Sequence, residues 1–175
     1  MKKLLGLLSL ILALALAGCG STMTTGLVFH SEGGFSNESD EISDQIQEKF
    51  NNLGDEQVRG VIASESALPP GLKYENKQLV NQSGYQHTII GWFELKPQLP
   101  SMGGAMLQSM TFRHPEFPTG KELKEQAKKA TLAAGGNFVY ITEIQMIDAE
   151  KAGSLKAWAV KLDPKAVKQL KAKRR

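Results

Sequence analysis

The stretch TGKELKEQAKKATLAAGGNFVYITEIQMIDAEKAGSLKAWAVKLDP, residues 119–164, decides the fold. Thr119 and Glu122 have the spacing of a capping box, in which a hydroxyl caps a helix start and the carboxylate three residues on reaches back. Leu123, Ala127, Ala130 and Ala134 then fall on one narrow helical face, and Gly135-Gly136 supplies the left-handed stop. Phe138 to Ile147 reads as a strand and Leu155 to Leu162 as another, with Ala152-Gly153 near the turn between them. Asp163-Pro164 pairs an N-cap residue with proline at the first helical position, which opens a short basic helix.

Working outward toward the N-terminus, Ser39 or Asp40 can cap a helix in which Ile42, Ile46 and Phe50 recur every four residues. Leu53 extends that stripe and Gly54 ends it. Val58 to Ala63 is a short β-like run, and Leu68-Pro69-Pro70-Gly71 breaks the chain. His87 to Leu95, rich in β-branched and aromatic residues, predicts a strand that Pro97 stops. The order α-β-β-(β)-α-β-β-α implies an α+β fold over residues 38–175. The expectation is a small single domain with an antiparallel or mixed sheet packed against two or three helices. Residues 19–37, dominated by Ser, Thr and Gly, read as a flexible tether with one short extended piece, Leu27-Val28-Phe29 being its only apolar cluster.

The first 18 residues have a different character. Met1-Lys2-Lys3 is a positive start, and Leu4 to Ala17 is an uncharged run rich in Leu and Ala. Such a run has the length of a signal-peptide core, short of the ~20 residues that span a bilayer. Leu16-Ala17-Gly18-Cys19 follows, and it resembles the lipobox of bacterial lipoproteins. The resemblance implies cleavage between Gly18 and Cys19 and diacylglycerol on the Cys19 thiol, with palmitate among the acyl chains. Cys19 is the only cysteine in the chain, so no internal disulfide can form. Two or three acyl chains, at ~0.8 kcal/mol per buried CH₂, make a lasting membrane anchor. Gly20 follows the cysteine in place of the Asp that resembles an inner-membrane retention signal. The expected location is therefore the cell envelope, at the outer membrane facing the periplasm in a Gram-negative host.

The run Glu122 to Val139, an Ala-rich helix closing in Ala134-Gly135-Gly136-Asn137-Phe138-Val139 before two strands, is similar to small envelope α/β domains of the RcsF and YbjQ kind. That resemblance covers about a quarter of the chain and implies the fold. The RcsF signalling role does not carry over, because that domain relies on disulfides.

Charge excludes a simple nucleic-acid reading. Setting Lys2 and Lys3 aside leaves 19 basic residues against 18 acidic ones. The charges are nonetheless segregated: Glu32 to Glu56 holds eight acids against Lys49 alone, and Lys165 to Arg175 holds six basic residues and no acid. The basic tail is a candidate for an anionic envelope surface, or else a solvated end. His30, His87 and His114 are not at metal-site spacing, and neither a nucleophile elbow nor a phosphate-binding loop occurs. Met102, Met106 and Met110, with His114 four residues further, are a soft-ligand candidate for Cu(I), set against methionine's commoner use as filler. Trp92, Phe93 and Trp158 are candidate pocket aromatics with the core as the alternative.

No catalytic residue, cofactor site or metal site is assigned. The expected function is a membrane-anchored envelope lipoprotein whose domain binds or scaffolds. A small envelope hydrolase is the alternative, and a ligand- or copper-binding periplasmic protein the third reading. The expected partners are the membrane, through the lipid, and another envelope protein or anionic surface, with no nucleic acid.

Overall fold

The computed structural model describes residues 24–31, 38–82, 84–98 and 117–173. They form an α+β domain with a five-stranded mixed sheet, a separate hairpin and three α-helices. In chain order the elements are β1 (Thr24–Ser31), α1 (Glu38–Asn52), a 3₁₀ turn (Gln57–Gly60), β2 (Ile62–Ser64) and the hairpin of β3 (Leu72–Glu75) and β4 (Gln78–Asn81). These are followed by β5 (Thr88–Gln98), α2 (Gly120–Ala133), β6 (Phe138–Met146), β7 (Ala152–Lys161) and α3 (Pro164–Lys173). The sheet order is β1-β5-β7-β6-β2, antiparallel except for the β2–β6 pair.

The helix, two strands and second helix expected over 119–164 form in that order. However, β7 begins at Ala152, so Ala152-Gly153 lies in the strand and not at the turn, and β6 ends at Met146. Thr119 Oγ1 accepts from the Glu122 amide at 3.2 Å while the Glu122 carboxylate accepts from the Thr119 amide at 2.7 Å. At the other end of α2, Gly135 takes a φ of 85°. Its amide donates to Leu132 O, and the Gly136 amide donates to Thr131 O. This pair of bonds is the Schellman arrangement, and its left-handed residue is best supplied by glycine. Asn137 then ties the turn to the sheet, with its Oδ1 accepting from the Leu162 amide at 2.7 Å. The buried face of α2 is Leu123, Ala127, Ala130 and Ala133; Ala134, placed on that face by periodicity, is the C-cap and only half-buried.

Thr119→Ala should cost the domain about 1 kcal/mol in chemical unfolding, through loss of the cap. Hydrogen bonds from the Thr119 amide and hydroxyl hold the Glu122 carboxyl below the usual glutamate range. A depressed folded pKa stabilises above the unfolded value and loses its effect as pH falls through the folded one. The capping contribution should therefore fade in acid, and the penalty of Thr119→Ala should shrink below about pH 4.

The core lies on both faces of the sheet. On one face α1 and α2 cover Leu27, Phe29, Phe93, Leu95, Val139, Ile141 and Leu155. On the other the β3–β4 hairpin and α3 cover Ile62, Phe138, Trp158 and Val160, with Leu72, Leu79, Val167 and Leu170 as the facing side chains. Asp163 caps α3 as expected, its two carboxylate oxygens accepting from the Lys165 and Gln86 amides. These bonds hold its carboxyl below the usual range.

Several expectations are corrected. The short extended piece expected within the tether over 19–37 is longer and belongs to the domain: residues 24–31 are strand β1 of the sheet. Leu27 and Phe29 alternate with exposed Val28, so a period-two apolar face sits inside a Gly/Thr/Ser-rich stretch. The β-like run at 58–63 is a 3₁₀ turn before the short β2. The strand expected to stop at Pro97 continues to Gln98. The Leu27 amide points off the sheet edge to Gln47 Oε1 at 3.3 Å, so Leu27–Leu95 and, two residues on, Thr25–Pro97 do not exchange ladder bonds. The proline nitrogen thus faces the β7 side, where pairing has ended at Leu95–Leu155, and no ladder donor is missed. The hairpin at 72–81 turns on Asn76 and Lys77, both at positive φ, a turn whose usual signal is Asn-Gly.

Candidate functional site

Among the described residues, the hairpin and α3 cover only part of their side of the sheet. Pairing register places His30 opposite Trp92, Trp92 opposite Trp158 and Trp158 opposite Tyr140. One row of rings therefore crosses four strands. Tyr74 of β3 closes its covered end, edge-on to Tyr140 with centroids 5.5 Å apart. Trp158 is buried, whereas Trp92, one strand further, is 36% exposed and stacks on the His30 imidazole at 4.0 Å. Stacked rings in neighbouring strands hold each other's rotamers, so the exposed pair is presented as a rigid plate.

The next row carries Val28, Glu94, Lys156 and Glu143. A bulge between Ile141 and Glu143 sets Glu143 opposite Lys156, and the extra residue, Thr142, donates through Oγ1 to Lys156 O. Lys156 Nζ lies 3.1 Å from Glu143 Oε2, and Lys96 Nζ 2.8 Å from Glu94 Oε2. The hydrogen bond and charge of Glu143, with a smaller effect from Glu94, hold the Lys156 ammonium above the usual lysine range. Val28 is 45% exposed. The face thus combines a flat aromatic and aliphatic strip with a row of paired charges of both signs.

Concavities lie elsewhere among the described residues. A groove of about 890 Å³ runs between α1, β1 and the C-terminal end of α2, lined by Phe29, Ile46, Lys49, Leu53, Ile90 and Leu132 among others. A smaller depression is bounded by Tyr85, Gln86 and Asp163. Beside it, buried His87 has both ring nitrogens engaged. Nδ1 accepts from the Asp163 amide at 3.1 Å, which leaves Nε2–H to donate to Pro70 O at 2.9 Å. Tyr85 stacks on the ring. His87 is a cross-brace between the Pro70 loop and the start of α3, with no nitrogen left for proton transfer.

Of the residues singled out by sequence, Phe93 and Trp158 are core and Trp92 is surface. His30 joins Trp92, while His87 is structural. Residues 165–173 of the basic tail belong to helix α3, packed on the core through Ala166, Val167 and Leu170, and Arg174 and Arg175 lie outside the described residues. Gly18, Cys19, Met102, Met106, Met110 and His114 lie outside the described residues. Among the described residues no group of His, Cys, Asp or Glu side chains converges on a metal position, and no helix is long and apolar enough to cross a membrane. The contributions of Val28, Glu94 and Lys156 escape a sequence reading because they depend on register. The alternation Trp92-Phe93-Glu94-Leu95-Lys96 was the available signal. No family model, curated protein or solved structure matches the chain.

Proposed function

We propose that this chain is a lipid-anchored protein of the bacterial cell envelope whose domain binds another envelope protein through the open half of the sheet. The observation that carries the binding reading is the exposed Trp92–His30 stack, flanked by Val28 and fixed charge pairs. A preformed flat surface with aromatic anchors and charges of both signs suits a protein partner better than a small substrate, which needs concave enclosure. The anchoring part rests on Leu16-Ala17-Gly18-Cys19.

Photocrosslinking from an unnatural side chain at Val28, in cells expressing the full chain, tests the binding part. A discrete adduct is expected from position 28 and none from position 56, and Trp92→Ala should abolish it while leaving the circular dichroism spectrum unchanged. Equal capture from both positions would overturn the assignment. For the anchor, Cys19→Ser should lose all labelling by radioactive palmitate, and a labelled serine variant would refute it.

A further inference from the structure

Among the described residues, the end of the sheet at which β1 begins carries a second surface that no element covers. Thr24 pairs with Gln98, and Leu27 is level with Leu95 and Leu155, so Ala152, three residues before Leu155, lies at about the level of Thr24. Ala152 in turn pairs with Met146. Thr24 and Met146 therefore sit at one end of the sheet, separated by three strand spacings, about 14 Å. The β6–β7 turn and the entry to α2 are at this same end, joined by a bridge between Thr119 and Lys151 and a bond from the Ala152 amide to Pro118 O.

Beside the charged tip of that turn, three large apolar side chains at this end face solvent. Met146 is 45% exposed, Ile147 is 53% exposed, and Phe117 is exposed beside them in the approach to α2. Exposed large apolar side chains grouped at one site call for an occupant. The chain itself indicates which. Five residue steps separate Cys19 from Thr24, a reach of at most about 18 Å when fully extended. If Cys19 bears the lipid, as proposed above, the Thr24 end of the sheet cannot stand further than that from the membrane surface.

We infer that Phe117, Met146 and Ile147 dip into the lipid interface and fix the domain upright on the membrane, strands along the bilayer normal. Apolar insertion, rather than charge attraction, drives the contact. The adjoining turn carries Asp148 and Glu150 with Lys151, and the Asp148 carboxylate is engaged by the Glu150 and Lys151 amides. α3 follows the far end of β7, so the basic helix begins at the end of the domain away from the anchor.

The test uses the full lipidated chain, in which an introduced cysteine is the only free thiol. Ile147→Cys, Phe117→Cys and, as a control at the opposite end, Glu56→Cys each receive an environment-sensitive fluorophore. The proteins are reconstituted in phosphatidylcholine vesicles with and without spin-labelled lipid. Quenching at 147 and 117 should exceed that at 56 on the order of threefold, with blue-shifted emission that added salt leaves unchanged. Quenching at 147 and 117 no greater than at 56 in palmitate-labelled protein would overturn the membrane contact alone. Absence of palmitate label would remove the anchor and the inference together.

Discussion

Phe138→Ala should lower the unfolding free energy by about 3–5 kcal/mol, measured by urea denaturation with an unchanged slope. Phe138 is 1% exposed and opens β6, paired on one side with Ile62 and on the other with Val160. Its ring lies in the cluster that joins the sheet to the β3–β4 hairpin and α3. Truncation leaves a cavity between layers that cannot close, because Leu72, Leu79 and Trp158 are held by their own strands. Against a typical total of about 5–15 kcal/mol, that loss is a large share of the stability. Hydrogen exchange should rise first in α3 and the hairpin, which meet the sheet through this cluster. A penalty below about 1 kcal/mol would mean that the ring is not packed as described.

Gly91→Ala should destabilise by about 2–3 kcal/mol for the opposite reason, overpacking. A Cβ at Gly91 would sit 2.2 Å from the His30 carbonyl oxygen and 3.0 Å from Ser31 Cα. Both are backbone atoms, so the edge strand must move rather than a side chain. Gly91 also sits at the bulge where Ile90 is the extra residue between β5 and β7, which leaves that segment little freedom to yield. The displaced strand carries His30 away from Trp92. Amide exchange along the last turn of pairing in β1 should accelerate, and crosslinking from Val28 should fall with it.

Much of the fold was legible because its signals are local. The capping box at Thr119, the Gly135 stop and the Asp163-Pro164 start each depend on residues within one turn, and all three form. What was missed depends on partners distant in sequence. β1 looks like a linker because Leu27 and Phe29 gain their meaning only against Phe93 and Leu95, some 66 residues on. Pro97 looks like a terminator because its tolerance depends on where β7 stops. The candidate site was the least legible part: Trp92 and Trp158 have similar sequence surroundings, yet one is covered by the hairpin and the other is open.

The strand order has a consequence for how such a chain matures. β7, which lies between β5 and β6, is the last of the described strands in chain order, while β1 and β2 occupy the two edges. No contiguous sheet can assemble until residues up to about Lys161 are present, so a chain truncated before β7 has two strand groups with nothing to join them. Pairings this remote in sequence form late and slowly. For a chain that crosses a membrane N-terminus first, as a lipid-anchored envelope protein of the proposed kind would, this order keeps the earlier strands unjoined until β7 has crossed.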